Sequence, residues 1–175
     1  MQSGTVPQPA MEPQVQVEKP NPTPQDKKKE PTAKLASELI KLASNSWQLA
    51  TQAHLIHFNF EGETFLSVHE FLKKEYKRNT KAFDKFGEYV RTLDYLMPMC
   101  SKGLTSACKN FKHVDNYKGE RMLYTYHSNL EEFGFRCKSC VNLAKKMEAY
   151  DIENYLAEAI SESFTSSWMI KSLLR

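Results

Sequence analysis

The chain has 175 residues, 41% of them hydrophobic and 26% charged, with a formal net charge of +3, which suits one globular domain of about 140 residues plus an appendage. So mild a charge lacks the clustered basic excess of proteins that live on nucleic acid, no apolar run reaches the roughly 18 residues of a membrane span, and the first residues lack the basic, apolar, small-residue order of a secretory signal. A cytoplasmic protein with no membrane partner is expected, its four cysteines (Cys100, Cys108, Cys137 and Cys140) reduced.

Seven of the eight prolines fall in residues 1–31, among Gln, Lys, Glu and Thr, so this segment is expected to be a disordered Pro/Lys/Gln-rich tail with too little apolar surface to fold. Its Lys19, Lys27, Lys28 and Lys29 are balanced by Glu12, Glu18, Asp26 and Glu30, so it is no cationic arm. The folded domain is expected over residues 32–175.

The spacing predicts a first helix capped by Thr32, with Leu35, Leu39, Leu42, Ser46, Leu49, Ala53 and Ile56 along one seam. It ends near Phe60, because Gly62 breaks it and Thr64 can cap the next helix. A second seam runs through Phe65, His69, Leu72, Tyr76, Asn79, Phe83, Phe86, Val90 and Leu93, and stops before Pro98. Residues 97–118 read as a long connection holding a short helix, a crossover of the kind seen in ferritin-like bundles. A third helix covers 119–148, with Leu123, Tyr126, Leu130, Phe133, Cys137, Cys140, Val141 and Ala144 inward, although Gly134 costs its middle about 1 kcal/mol. The fourth follows Asp151 as N-cap and turns Tyr155, Leu156, Ala159, Phe164, Trp168 and Leu173 inward. No strand pattern competes, so the expected fold is an all-α, ferritin-like four-helix bundle.

The polar residues that carry chemistry are His57 at the end of the first helix and His69, Asp84 and Glu88 on the second. Asp84 and Glu88 are four apart and project from one face, where they can grip a cation or simply be solvated. His69 lies in a core stripe, where a hydrogen-bonded histidine is the bland alternative to a ligand. Fifteen residues of helix separate His69 from Asp84, roughly 22 Å, too far for one metal. If two copies of the second helix packed antiparallel about a two-fold axis, the histidine end of one would meet the carboxylate end of the other. A Glu-x-x-His step, which builds metal sites inside bundles, precedes none of the five histidines.

At these residues the sequence resembles the Dps family, the DNA-binding proteins from starved cells. The first family signature is met as His57-Phe58-Asn59-Phe60-Glu61-Gly62, five residues, Val68-His69, and the second as Phe83-Asp84-Lys85-Phe86-Gly87-Glu88. The resemblance extends from about residue 33 to Ser167-Trp168-Met169. It implies a homo-oligomeric, dodecameric mini-ferritin shell that oxidises ferrous iron, usually with peroxide, and stores ferric mineral. It also implies that His57 and His69 of one subunit ligate iron with Asp84 and Glu88 of its neighbour, Glu88 bridging a two-iron site. Such mixed donors suit iron and also accept zinc or manganese.

Three departures stand out. Lys73 occupies the position, four residues after the second histidine, where the family has Asp or Glu, and an ammonium cannot ligate; pairing with Glu88 or Asp84 of the partner, it would weaken or abolish the ferroxidase. Phe58 replaces the usual Trp and Tyr89 the usual Arg. The competing expectation is a DNA-binding or purely structural shell, with weak DNA binding through the tail. Asp151, Glu153 and Glu158 are candidates for an acidic iron-entry pore, although acids at a helix start need no other reason than its dipole. Cys137-Lys138-Ser139-Cys140 reads as core packing rather than zinc or redox chemistry.

Overall fold

The computed structural model describes residues 24–175, and among them there are five helices and no strand. They are α1 (Pro24–Asn59), α2 (Phe65–Thr92), α3 (Ser101–Ala107), α4 (Gly119–Lys146) and α5 (Tyr150–Leu173). α1 and α2 form one antiparallel hairpin, α4 and α5 another, and α1 also packs on α4 and on the short α3. Glu75 bonds Tyr126 and Phe86 meets the ring of Phe133, so α2 and α4 rise together. Parallel helices cannot be joined by a tight turn, which is why the chain needs the crossover between Thr92 and Gly119.

The core is a layer of aliphatic side chains closed by two aromatics, with Leu35, Leu39, Leu42, Leu49 and Ile56 of α1 against Leu72, Phe86, Leu123, Tyr126, Leu130, Ile152 and Leu156. The α1 seam is as the sequence predicts, and so is that of α4 apart from Val141, which is half-buried. Three local expectations are corrected. α1 begins at Pro24 rather than after Thr32, so Pro31 lies inside the helix; Gln25 to Glu30 are mostly good helix formers, and Pro31 removes a single backbone hydrogen bond. The expected tail from residue 24 to 31 is thus helical, whereas residues 1–23 lie outside the described residues.

On α2 the buried stripe is Val68, Leu72, Glu75, Asn79, Ala82, Phe86 and Tyr89. Leu72, Asn79 and Phe86, with Val90, also buried, belong to the expected seam, but His69, Tyr76 and Phe83 are only half-buried on its flank. On α5, Trp168 is 63% exposed and Leu173 is exposed as well, while Ile152, Ser163, Ser166, Ser167 and Ile170 are buried. Small serines permit close contact with α4, where Ser163 donates to the Leu130 carbonyl at 2.6 Å. The N-cap position of α5 is Ala149, so Asp151 sits in the first turn.

Gly62, at φ 119°, makes the turn out of α1 in a backbone region open to glycine. Thr64 holds the N-cap position of α2 without a side-chain capping bond. The turn returns the start of α2 alongside the end of α1, and this sets His69 against His57.

Candidate metal centre

His57 and His69 come from adjacent helix ends and are bound to each other's backbone. His57 Nδ1 lies 2.9 Å from the His69 carbonyl oxygen, and His69 Nδ1 lies 3.1 Å from that of His57. A carbonyl only accepts, so each Nδ1 donates, and in the neutral imidazole Nε2 is then the nitrogen left to accept. The rings stack with centroids 3.6 Å apart and 23° between their planes. Donation of the second ring N–H to a backbone carbonyl is how proteins fix the tautomer and orientation of metal-binding imidazoles. His57 is buried and His69 half-buried.

An aromatic wall backs the pair. His54 stacks on Tyr76 at 4.1 Å and on Phe58 at 4.6 Å, and His57 meets the Tyr76 ring edge-on at 5.6 Å. His54 is therefore packed as a supporting ring. Phe58, 66% exposed, meets His57 edge-on at 5.5 Å, which leaves an apolar side chain at the outer edge of the pair.

Asp84 and Glu88 do not join them. Both carboxylates are exposed on α2, and Glu88 accepts from Lys85 at 3.2 Å. Among the described residues no three His, Cys, Asp or Glu side chains converge as a metal site, as the separation along α2 requires. Lys73 is paired within its own helix, 3.7 Å from Glu70. Asp151 and Glu158 are exposed and Glu153 half-buried along α5. The Cys137 and Cys140 thiols are buried, and burial raises both, Cys140 to about 12, which suits inert packing rather than ligation.

The sequence reading missed a polar cluster on the bundle's interior. Glu75 is 3% exposed; its carboxylate accepts from Arg78 at 2.7 Å, Tyr126 at 3.1 Å and Ser166 at 2.8 Å. Arg78 also donates to Ser166 at 2.6 Å, and Asn79 donates to the Tyr126 hydroxyl at 3.1 Å. Burial lifts the Glu75 carboxyl above its ordinary value, with Arg78 opposing, and burial pushes the Tyr126 hydroxyl well up. A guanidinium thus fills the place beside this carboxylate that an interior cation would need. Asn79 within the apolar stripe was the available signal.

A ferritin-like domain profile matches residues 36–175, and the chain belongs to the ferritin-like family. Among curated proteins, none matches the sequence. Solved structures share the fold. The Dps protein of Vibrio cholerae O1, described as one of a broad superfamily of ferritin-like diiron-carboxylate proteins, is 19% identical over 83% of this chain and 92% of its own, with a TM-score of 0.77. Antigen TpF1 of Treponema pallidum is 18% identical over 89% and 97%, at 0.78, and Dps of Thermosynechococcus elongatus 12% identical over 83% and 93%, at 0.79.

Proposed function

We propose that this chain is the subunit of a Dps-type mini-ferritin, which oxidises ferrous iron in pockets shared by two copies and stores ferric mineral within a homo-oligomeric, dodecameric shell. The observation that carries the reading is the reciprocal His57 and His69 arrangement, which leaves both Nε2 atoms outside the mutual bonds and, among the described residues, gathers no carboxylate of its own chain beside them. Asp84 and Glu88 of a second copy supply the missing charge, with Glu88 bridging two ions. Their exposure leaves them accessible to a neighbour, and the solvated Lys85 pair is one that docking can exchange.

Iron is the substrate. Two ferrous ions give one electron each to one peroxide, which takes up two protons and leaves as two waters. The protein's part is to hold the ions with imidazole nitrogens from one copy and carboxylate oxygens from the other, beside the Phe58 ring that packs on His57. Asp151, Glu153 and Glu158 line the approach as an acidic path for the cation. Lys73 makes this site slower than one with a carboxylate there, since its ammonium repels the incoming ion.

The test is to add ferrous iron and peroxide to the purified protein and follow ferric absorbance, with particle mass measured on the same sample. Oxidation above the buffer rate by an assembled particle is expected. Oxidation at the buffer rate by an assembled particle removes the enzymatic claim and leaves a structural shell, and a stable monomer removes both.

A further inference from the structure

α2 turns a stripe of charge outward. Glu70, Lys74, Lys77, Lys81, Asp84 and Glu88 recur at alternating steps of four and three residues and are all exposed, so they share one face of the helix. The middle of that face is wholly basic, with Lys74, Lys77 and Lys81 spread over about 10 Å of helix axis. Among the described residues, the ion pairs of α2 are Lys73 with Glu70, Arg78 with Glu75 and Glu162, and Lys85 with Glu88. None includes the three lysines. Glu162 of α5 feels the charge of Lys81 but lies 3.8 Å from Arg78.

The proposed pocket between two copies requires α2 to pack antiparallel on α2, with His69 of one level with Asp84 and Glu88 of the other. Setting His69 opposite the midpoint of that acid pair also sets Glu70 opposite Lys85, Lys74 opposite Lys81 and Lys77 opposite Arg78. The outer contact is attractive. The inner ones are not: Arg78 has Glu75 within its own bundle, whereas the six lysines contributed by the two copies meet only like charge. Lysines of this kind are ordinary on a solvated helix, but opposed across a contact they repel and lose water together.

We propose that this contact holds a condensed phosphate, a small multivalent oxyanion gripped by Lys74, Lys77 and Lys81 of both copies. The site is incomplete in one copy, and it rests on the α2 pairing of the proposed shell. An ammonium is a point charge with three donors, so six of them suit the many oxygens of a phosphate chain, whereas a chloride answers one at a time. Packed helices have axes about 8–10 Å apart. Such a gap admits a small oxyanion but not a nucleic-acid duplex, whose major groove alone is about 12 Å wide.

The test uses the full chain, freed of iron and phosphate, at low ionic strength. Particle mass is followed against protein concentration in sodium tripolyphosphate and in sodium chloride of equal ionic strength. The parent is compared with a Lys74→Gln, Lys77→Gln, Lys81→Gln variant and with a Lys145→Gln, Lys146→Gln variant at the exposed end of α4, circular dichroism confirming the helices. Tripolyphosphate is expected to assemble the parent at about tenfold lower protein concentration, the shift that mass action gives a ligand held between two copies at about ten times its Kd. Chloride should not do so. The Lys145 and Lys146 variant should respond as the parent does, and the triple variant should ignore the anion. Equal assembly of the parent in both salts, or a triple variant that still responds, overturns the phosphate site and leaves the shell standing. Monomers in every arm, the triple variant included, overturn the shell as well.

Discussion

His57 and His69 fix each other's tautomer: the imidazole of each donates through Nδ1 to the carbonyl of the other, at 2.9 and 3.1 Å. The polar bonds that set both orientations lie within the pair, with Phe58 and Tyr76 packed on His57 and Phe65 on His69, so the two donor atoms are preorganised before any partner or ion arrives. His57→Ala and His69→Ala are each expected to slow ferrous oxidation by about tenfold or more, the scale seen when ligand orientation is lost. The stability cost is about 1 kcal/mol, one hydrogen bond's net worth. Stopped-flow ferric absorbance and thermal melts on the same samples check this; a variant that oxidises iron at the parental rate removes that histidine from the site.

Lys73 is paired with Glu70 at 3.7 Å on a solvated stretch of α2, an ion pair worth less than about 1 kcal/mol. Lys73→Glu should therefore leave the fold intact, apart from a few tenths of a kcal/mol of repulsion from Glu70, about the cost of adjacent like charges on a helix. Because the change restores a carboxylate four residues after His69, oxidation is expected to accelerate, with Lys73→Ala between the two. No acceleration in either variant would show that Lys73 does not limit the reaction.

Glu75 gives a pH prediction. Burial, opposed by Arg78, raises its carboxyl above the ordinary 4.5, so the folded protein holds this proton more tightly than the unfolded chain. The resulting stability is complete below 4.5 and is lost as pH climbs through the raised folded value. Glu75→Gln cannot titrate; relative to it, the parent should lose stability on going from about pH 4 to pH 7. Glu162, also raised by burial, shares Arg78 with Glu75, so both proteins are compared in a Glu162→Gln background. Melting temperatures by circular dichroism across that range provide the comparison, and parallel curves would contradict the burial argument.

Gly134 of α4 lies against the Phe164 ring of α5. A methyl group there would come within 2.9 Å of the Phe164 ring. Gly134→Ala should destabilise by about 1 to 3 kcal/mol through overpacking. In a Phe164→Ala background the same change should stabilise by about 1 kcal/mol, the ordinary helix preference of alanine. A double-mutant cycle read by thermal melts decides it by sign.

Much of the architecture could be read from the sequence where apolar spacing was regular, as along Leu35, Leu39, Leu42 and Leu49, or Leu123, Tyr126, Leu130 and Phe133. The crossover was visible through Pro98 and the loss of periodicity after it. The serine face of α5 was not, because Ser163, Ser166 and Ser167 are buried by virtue of being small, whereas hydropathy favours Trp168, which faces outward. Glu75 was hidden for a related reason. A carboxylate in a helix reads as solvated unless its partners, here Tyr126 and Ser166 from two other helices, are already known to meet it. At the candidate site, the juxtaposition of His57 with His69 depends on the turn at Gly62, and their mutual backbone bonds follow no periodicity.

The guanidinium of Arg78, lodged beside Glu75, bears on how the proposed pockets would depend on abundance. A bundle that keeps a positive charge of its own at that point has no room there for a foreign cation, and the proposed chemistry uses surfaces that meet only between molecules. Such an arrangement obeys mass action: dilution alone would switch it off, every helix remaining intact, and accumulation of the chain would switch it on.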